Sequence, residues 1–329
     1  MNESYLDRDV VDGDTPLVSV VLPTYNEAET IVDVVDELLE TINTKRTTGV
    51  DVEVIVVDDD SPDETWRIAR EAFDEDDRVR VLRRTDDQGL SSAVLDGFRD
   101  ARGRFAVCMD ADGQHPADRV DELVDELVLG ADLVVGSRHV DGGEIDGWPV
   151  SRKVTSKVAT LLARAFVGPA REITDPMSGF FAVDRETFDD DVLDLADPHG
   201  YKILLELAAI VPDAEIAEVP ITFRARQAGE SKLTLDEQLR FVEHIVGLWF
   251  LGAGLDERVS PPLLVRSVEA ASVVALALAM LNLGLVLGNV EGALGAGLIA
   301  AAGGTIVLGA QRLARSGDTW SSSTEVFAK

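Results

Sequence analysis

The chain of 329 residues is poor in the groups that build disulfides and soft-metal sites. It has one cysteine, Cys108, so no intrachain disulfide can form and no four-cysteine zinc cluster can assemble. Its four histidines are scattered, without HExxH spacing. Basic residues are scarce: 30 Lys and Arg stand against 61 Asp and Glu, a formal charge of −31. Such a surface repels a nucleic-acid backbone, so a generic role on DNA or RNA is excluded. The opening MNESYLDRDVVDGD has neither a basic n-region nor an apolar h-region, so no signal peptide is expected there, and residues 1–16 read as an acidic flexible tail.

What is present excludes a disordered acidic chain, because 46% of residues are hydrophobic. Acid is spread along the soluble part rather than blocked, and Lys is rare. This pattern fits a salt-adapted, halophilic source, where dense carboxylates keep a surface hydrated. The apolar residues gather near the C-terminus. Residues 270–290, AASVVALALAMLNLGLVLGNV, and 292–310, GALGAGLIAAAGGTIVLGA, carry no charge. The first has about the 20 residues that a membrane-spanning helix needs. Arg266 precedes the pair and Arg312 and Arg315 follow it, while the turn between has no basic residue. The positive-inside rule therefore expects both termini and the soluble domain in the cytoplasm, anchored to the cell membrane by two spans. Gly284, Gly288 and Gly292 have GxxxG spacing, a route to homo-oligomers through these helices. The alternative is a helical hairpin buried in a soluble core, but no other long amphipathic partner remains to bury it. The expected organisation is thus 1–16 tail, 17–262 soluble domain including interfacial helices, 263–315 helix pair and 316–329 polar tail.

Within the soluble part, apolar β-branched runs alternate with segments of helical period. Strands are expected at 17–23, 52–57, 79–82, 105–109 and 133–135. Helices are expected at 29–42, 63–73, 91–101, 118–129 and 150–166. An apolar side on 235–251 and a basic, apolar helix at 150–166 suit either a lipid interface or packing on the sheet. The alternation implies βαβ units and a mostly parallel sheet covered on both faces, an α/β class. Ligands in such sheets bind beyond the carboxyl ends of the strands. Three polar clusters sit there: Pro23 to Glu27, Asp58 to Asp63, and Asp110 to His115. Asp110 and Asp112 are one residue apart, so both reach a common point past the strand. With Gln114 they offer hard oxygens suited to Mg²⁺ or Mn²⁺, which in turn grips a diphosphate. Asp58 and Asp59 suit a nucleoside base and ribose.

These residues resemble the family 2 glycosyltransferases. VVLPTYNEAETI, VIVVDDDSPDET and CMDADGQHP carry the likeness, followed in order by GSRHV, SRKVTS, TDPMSGFFAVDR, HGYKILLEL and FRARQAGESKL. More narrowly they are similar to the dolichyl-phosphate (polyprenyl-phosphate) hexosyltransferases of the dolichol-phosphate mannose synthase type. The resemblance covers roughly residues 17–251. It implies a GT-A catalytic domain, Rossmann-like, in front of the two-helix transmembrane hairpin read from the apolar runs, with a nucleotide-sugar donor and a lipid-phosphate acceptor. It implies that Pro23, Tyr25, Glu27, Asp58, Asp59, Asp110 and Ala111 hold the donor, with the metal on Asp110, Asp112 and Gln114. Arg138 is implied near the donor diphosphate; Arg152, Ser178, Arg226, Ser231 and Lys232 near the acceptor phosphate. Asp112, Arg138, Arg226 and Lys232 are the expected catalytic set. The chain departs from the family at Gly89-Leu90-Ser91, where Gly-Leu-Gly is common, and at Asp60 and Glu64, where Asn or Gly is usual.

A phosphate acceptor is already ionised, so it needs cations rather than a base. Where relatives that modify hydroxyls carry a Glu-Asp pair, this chain has Gly200-Tyr-Lys202, and no QxxRW-like element appears. The expected reaction is an inverting hexose transfer from UDP-glucose or GDP-mannose to dolichyl or polyprenyl phosphate, supplying a lipid-linked sugar for protein N-glycosylation. The two-helix anchor is similar to that of archaeal enzymes starting an N-glycan, which leans towards glucose. The competing reading is transfer to a sugar hydroxyl in polysaccharide or glycolipid synthesis.

Overall fold

The computed structural model describes residues 18–45, 52–86, 88–148, 150–197 and 202–224, and positions 241, 244, 245 and 248. The chain divides into two compact units, Met1–Trp148 with Pro169–Lys232, and Pro149–Gly168 with Leu233–Lys329. The first unit carries the sheet. Its expected elements form close to their predicted bounds: β1 Val18–Thr24, α1 Ile31–Lys45, β2 Val52–Asp58, α2 Thr65–Ala72, β3 Val79–Arg83, α3 Leu90–Asp100, β4 Phe105–Cys108, α4 Val120–Val128 and β5 Leu133–Ser137. The short β6 Glu144–Ile145 follows. The second unit contributes α5, Val150–Phe166, which bears Arg152. Back in the first unit come β7 Phe181–Asp184, α6 Asp190–Leu193, α7 Ile203–Ile210, β8 Ile216–Pro220 and β9 Thr222–Phe223.

The main sheet has the order β3-β2-β1-β4-β7-β5-β8. β1, β2, β3 and β4 pair in parallel, whereas β7 runs antiparallel to both β4 and β5. The fold is therefore the GT-A-like α/β arrangement, mostly parallel with one inverted strand. β6 and β9 form a separate two-stranded sheet.

β1 is an unbroken apolar run because both its faces are covered. Val20 and Leu22 join Ile31, Val35 and Leu38 of α1 and Leu123 of α4 in one core layer. Val21 points the other way, to Val94 and Phe98 of α3 and Leu204 and Leu207 of α7. Each large side chain so buried contributes about 1.5–3 kcal/mol. Helix α3 lies very close to the sheet, since a Cβ on Gly97 would fall 2.3 Å from Val21 Cγ1. At the amino ends of the strands, buried Glu53 accepts from Ser19 Oγ at 2.7 Å, the Arg102 N–H at 2.7 Å and Arg80 Nη1 at 3.0 Å. That end is closed by structural ion pairing. The carboxyl end is where the chain reverses out of β1 on one side and β4 on the other, and there the sheet opens.

Among the described residues no helix is long and apolar enough to cross a membrane. The two apolar runs, both tails and the boundary at 262 lie outside them, as does most of 235–251.

Candidate active site

A cleft of about 280 Å³ opens over the carboxyl ends of β1, β2 and β4. Pro23, Thr24, Tyr25 and Glu27 line one side, Asp110, Ala111 and Asp112 another, with Asp59, Leu90 and Ala93 between. The expected donor residues Pro23, Tyr25, Glu27, Asp59, Asp110 and Ala111 are thus brought together. Tyr25 is 54% and Leu90 48% exposed, so two large apolar surfaces flank the mouth, suited to a flat ring.

Three loops build this rim and are stitched to one another. The loop after β1 is held by the Asn26 N–H on Ser61 Oγ (3.0 Å) and the Glu27 N–H on Thr65 Oγ1 (3.0 Å). Thr30 Oγ1, at the start of α1, donates to the Ala111 carbonyl at 2.9 Å and ties that loop to the aspartate loop. Asp58 does not face the cleft. It is fully buried and accepts from Thr24 Oγ1 (2.9 Å), the Ser61 N–H (2.8 Å) and Ser61 Oγ (2.6 Å). Its role here is to pin the loop, because its two oxygens are already surrounded by donors. The departures at Asp60 and Glu64 now have a physical meaning. Both residues stand in the left-handed region, with φ of 54° and 62°, where Asn or Gly is easier. Arg83 Nε holds Asp60 at 2.6 Å, and Arg67 pairs with Glu64.

Asp59 keeps a cleft position while anchored from behind. Buried Arg84 pairs with it and reaches Asp96 through Nε at 2.8 Å, and the Gly89 N–H donates to Asp59 Oδ2 at 2.7 Å. Burial raises the Asp59 pKa, and the Gly89 hydrogen bond and Arg84 charge offset only part of that rise. Gly89, at the departure from Gly-Leu-Gly, therefore links α3 to the second cluster.

Asp110 and Asp112 differ in exposure. The Asp110 side chain is 36% exposed, whereas Asp112 is 5% exposed and accepts the Gln114 N–H at 3.0 Å. Desolvation raises the Asp110 pKa, Asp112 adds to the rise, and neighbouring His115, Lys202 and Arg138 oppose it. Gln114 Nε2 donates to the Arg224 carbonyl at 2.9 Å, and the Arg224 N–H returns to the Gln114 carbonyl at 2.9 Å. Among the described residues no three His, Cys, Asp or Glu side chains gather into a metal centre. Two carboxylates and one amide oxygen are nevertheless a fitting donor set for Mg²⁺ or Mn²⁺. These ions commonly take one or two carboxylates and complete their shell with phosphate and water. The partly desolvated Asp110 carboxylate is the kind of group that a cation stabilises.

Other expected residues are placed differently. Arg138 is buried and bound in a fork to Asp175, with Nε–Oδ2 at 2.6 Å and Nη2–Oδ1 at 2.7 Å. Its guanidinium also lies over Phe223 (5.2 Å) and Trp148 (5.3 Å). It lies near enough to Asp110 to act on it by charge, but it does not line the cleft. Burial would raise the Asp175 pKa, but the Arg138 hydrogen bonds and charge prevail and hold it below the ordinary value. Ser178, expected at the acceptor phosphate, is buried and spends its hydroxyl on the Gly136 carbonyl at 2.7 Å. It fastens the turn before β7 to β5. Arg152 belongs to the second unit, and Arg226, Ser231 and Lys232 lie outside the described residues.

Sequence reasoning missed Asp175 and its support. Glu218 of β8 accepts the Thr174 N–H at 2.9 Å, Thr174 Oγ1 at 2.8 Å and the Asp175 N–H at 3.2 Å. Asp175 stood within a recognised motif, but nothing in its spacing pairs it with Arg138. His115 was also left without a role. It is buried, and burial lowers its pKa, so the ring is neutral near neutral pH.

The family model described as glycosyl transferase family 2 matches residues 19–191. A dolichol-phosphate mannosyltransferase of Pyrococcus furiosus is 42% identical over 231 residues, 70% of this chain and 63% of that protein. The enzyme of the same name from Mycosarcoma maydis is 37% identical over 71% of this chain and 80% of its own length. Among solved structures, glucosyl-3-phosphoglycerate synthase from Mycobacterium tuberculosis with Mg²⁺ and UDP has a TM-score of 0.55 at 25% identity, covering 75% of this chain and 82% of that one. A mannosyltransferase from Pyrobaculum calidifontis, with GDP-mannose and Mn²⁺, shares the fold at TM-score 0.51 and 20% identity, over 93% and 90% of the two chains.

Proposed function

The chain belongs to glycosyl transferase family 2, and on that footing we propose that it transfers a hexose from a nucleotide sugar to the phosphate of dolichol or another polyprenol. The observation that carries the reading is the cleft itself. Asp110 and Asp112 form one wall, facing Pro23, Tyr25 and Glu27, with Asp59 between them. A nucleoside fits beside Tyr25, Asp59 and Leu90, and its diphosphate extends towards the two aspartates. The names of the relatives supply the acceptor class. Those names favour mannose over the glucose expected above, so GDP-mannose, one of the two expected donors, is proposed first. The solved neighbour with UDP keeps UDP-glucose as the second donor to test.

In the proposed reaction the side chains Asp110, Asp112 and Gln114 would hold Mg²⁺ or Mn²⁺. That cation, when bound, offsets the charge of the departing nucleoside diphosphate. Asp59 and the loop after β1 orient the nucleoside, so that the anomeric carbon faces the open side of the cleft. The acceptor phosphate is already an anion and needs no general base. Cations hold it in line: Lys202, whose charge reaches Asp110, and in the unit's last segment Arg226 and Lys232, with Ser231. Arg224, two residues before Arg226, is hydrogen-bonded to Gln114, which ties the start of that segment to the aspartate loop. Attack from the opposite face inverts the anomeric carbon, giving a β product from an α-linked donor.

The apolar runs within 263–315 are proposed as the anchor that keeps the enzyme beside its lipid acceptor, with the catalytic domain and both termini in the cytoplasm. The GxxxG glycines then offer a contact between copies. The product is proposed to serve protein N-glycosylation. Purified protein incubated with dolichyl phosphate, Mn²⁺ and each radiolabelled nucleotide sugar tests this. A mild-acid-labile lipid product, made from GDP-mannose above other donors, is expected. A label found only on acid-stable saccharide would instead favour the hydroxyl-acceptor reading, and no labelled lipid from any donor would overturn the proposal.

A further inference from the structure

We propose that His115 is a positioning residue for Asp110: with Gly179 it fixes the rotamer in which that carboxylate meets the cation. The inference rests on the metal reading given above and adds residues to which that reading assigns no part.

The Asp110 N–H donates to His115 Nδ1 at 3.1 Å. Nδ1 therefore presents its lone pair, and the neutral ring carries its proton on Nε2. Nε2 faces Asp110 Oδ2 at 3.8 Å. That is longer than a hydrogen bond, so the N–H acts on the carboxylate as a fixed dipole rather than as a clamp. The ring cannot turn away. Phe180 stacks on it at 5.3 Å and 18°, and Phe223 meets it edge-on at 5.2 Å and 64°. One imidazole thus grips the backbone of Asp110 with one nitrogen and addresses its side chain with the other.

A second wall comes from a distant part of the chain. A Cβ on Gly179 would lie 2.7 Å from Asp110 Oδ2 and 2.9 Å from Oδ1. The carboxylate therefore lies directly against the glycine Cα, and one added methyl would displace it. Gly179 is held there by its neighbours: Ser178 on the Gly136 carbonyl, and Phe180 on the His115 ring. Asp112 is oriented separately, by the Gln114 N–H. Groups that orient metal ligands in this way typically change metal affinity about 10–100-fold when removed.

The test is Mn²⁺ binding to the full-length protein in detergent, with GDP and in parallel with UDP, followed by loss of the free-Mn²⁺ paramagnetic resonance signal. His115→Ala and Gly179→Ala are expected to raise the Mn²⁺ Kd about 10–100-fold. His115→Asn, whose amide oxygen still accepts from the Asp110 N–H, is expected to recover part of the loss. Nucleotide affinity measured in EDTA should not change, which a merely structural defect would not allow. Wild-type Mn²⁺ affinity in both Gly179→Ala and a folded His115 variant, while Asp112→Ala loses binding, overturns the inference and leaves the metal reading intact. If the wild type binds no Mn²⁺, or Asp112→Ala binds it normally, the metal reading falls and this proposal falls with it.

Discussion

Arg138 and Asp175 meet as a two-pronged ion pair inside the protein, 37 residues apart in sequence, with Asp175 fully buried and Arg138 8% exposed. The pair closes the end of β5 against the turn before β7. Because Arg138 also acts on Asp110 by charge, the pair couples the packing of the inverted strand to the electrostatics of the cleft.

Removing one partner leaves the other charge buried. Asp175→Ala should lower unfolding stability by about 3–5 kcal/mol in urea titration. The pKa of Asp175 is held below its ordinary value, so the stability it contributes is present at neutral pH and is lost as pH falls through the folded pKa. In Asp175→Ala the acid-side fall in stability should accordingly be shallower than in the wild type.

Asp112→Ala should reduce lipid glycosylation by about 100-fold or more, the scale of removing charge stabilisation from a leaving group. Thermal unfolding without metal should shift far less than activity, since the lost hydrogen bond from the Gln114 N–H is worth about 1 kcal/mol. The radiolabelled-lipid assay beside a melting curve separates the two effects.

Ser178→Ala should behave as a packing variant. Loss of its hydrogen bond to Gly136 predicts about 1–2 kcal/mol of lost stability. The KM for dolichyl phosphate should remain at the wild-type value. A selective rise in that KM would restore Ser178 to the acceptor site suggested by the family resemblance.

Glu206 on α7 is buried, and desolvation raises its pKa from 4.5 to about 7, against the opposing hydrogen bond from the Asp197 N–H. Between those two values the folded protein binds more protons than the unfolded chain. Stability should therefore fall as pH rises from 4.5 through 7, by up to about 3 kcal/mol. Glu206→Gln should flatten that part of the curve and raise the melting temperature at pH 8.

The first half of the sheet was legible because its cues are local. The runs VSVVLP and VEVIVV are apolar on both faces and bounded by polar turns, so β1 and β2 announce themselves, as do the periodic α1 and α4. β7 and β8 were not anticipated. FAVD is only four residues long, and its antiparallel course follows from partners on β4 and β5, which no local period encodes. The rim residues Pro23, Tyr25, Glu27, Asp59, Asp110 and Asp112 were readable because each sits at or just past the carboxyl end of a strand. Asp58 is adjacent to Asp59, yet the strand's alternation turns one carboxylate into the protein and the other towards the cleft.

Composition and period alone determined a doubly covered α/β sheet with its polar chemistry at the strand ends, since burial of alternating apolar faces is a property of short stretches. Which carboxylates face solvent, which arginine is tied up by Asp175, and how Phe180, Gly179 and His115 surround Asp110 were decided only when segments distant in sequence came together. Packing and desolvation act between neighbours in space, and the linear order of residues does not contain those neighbours.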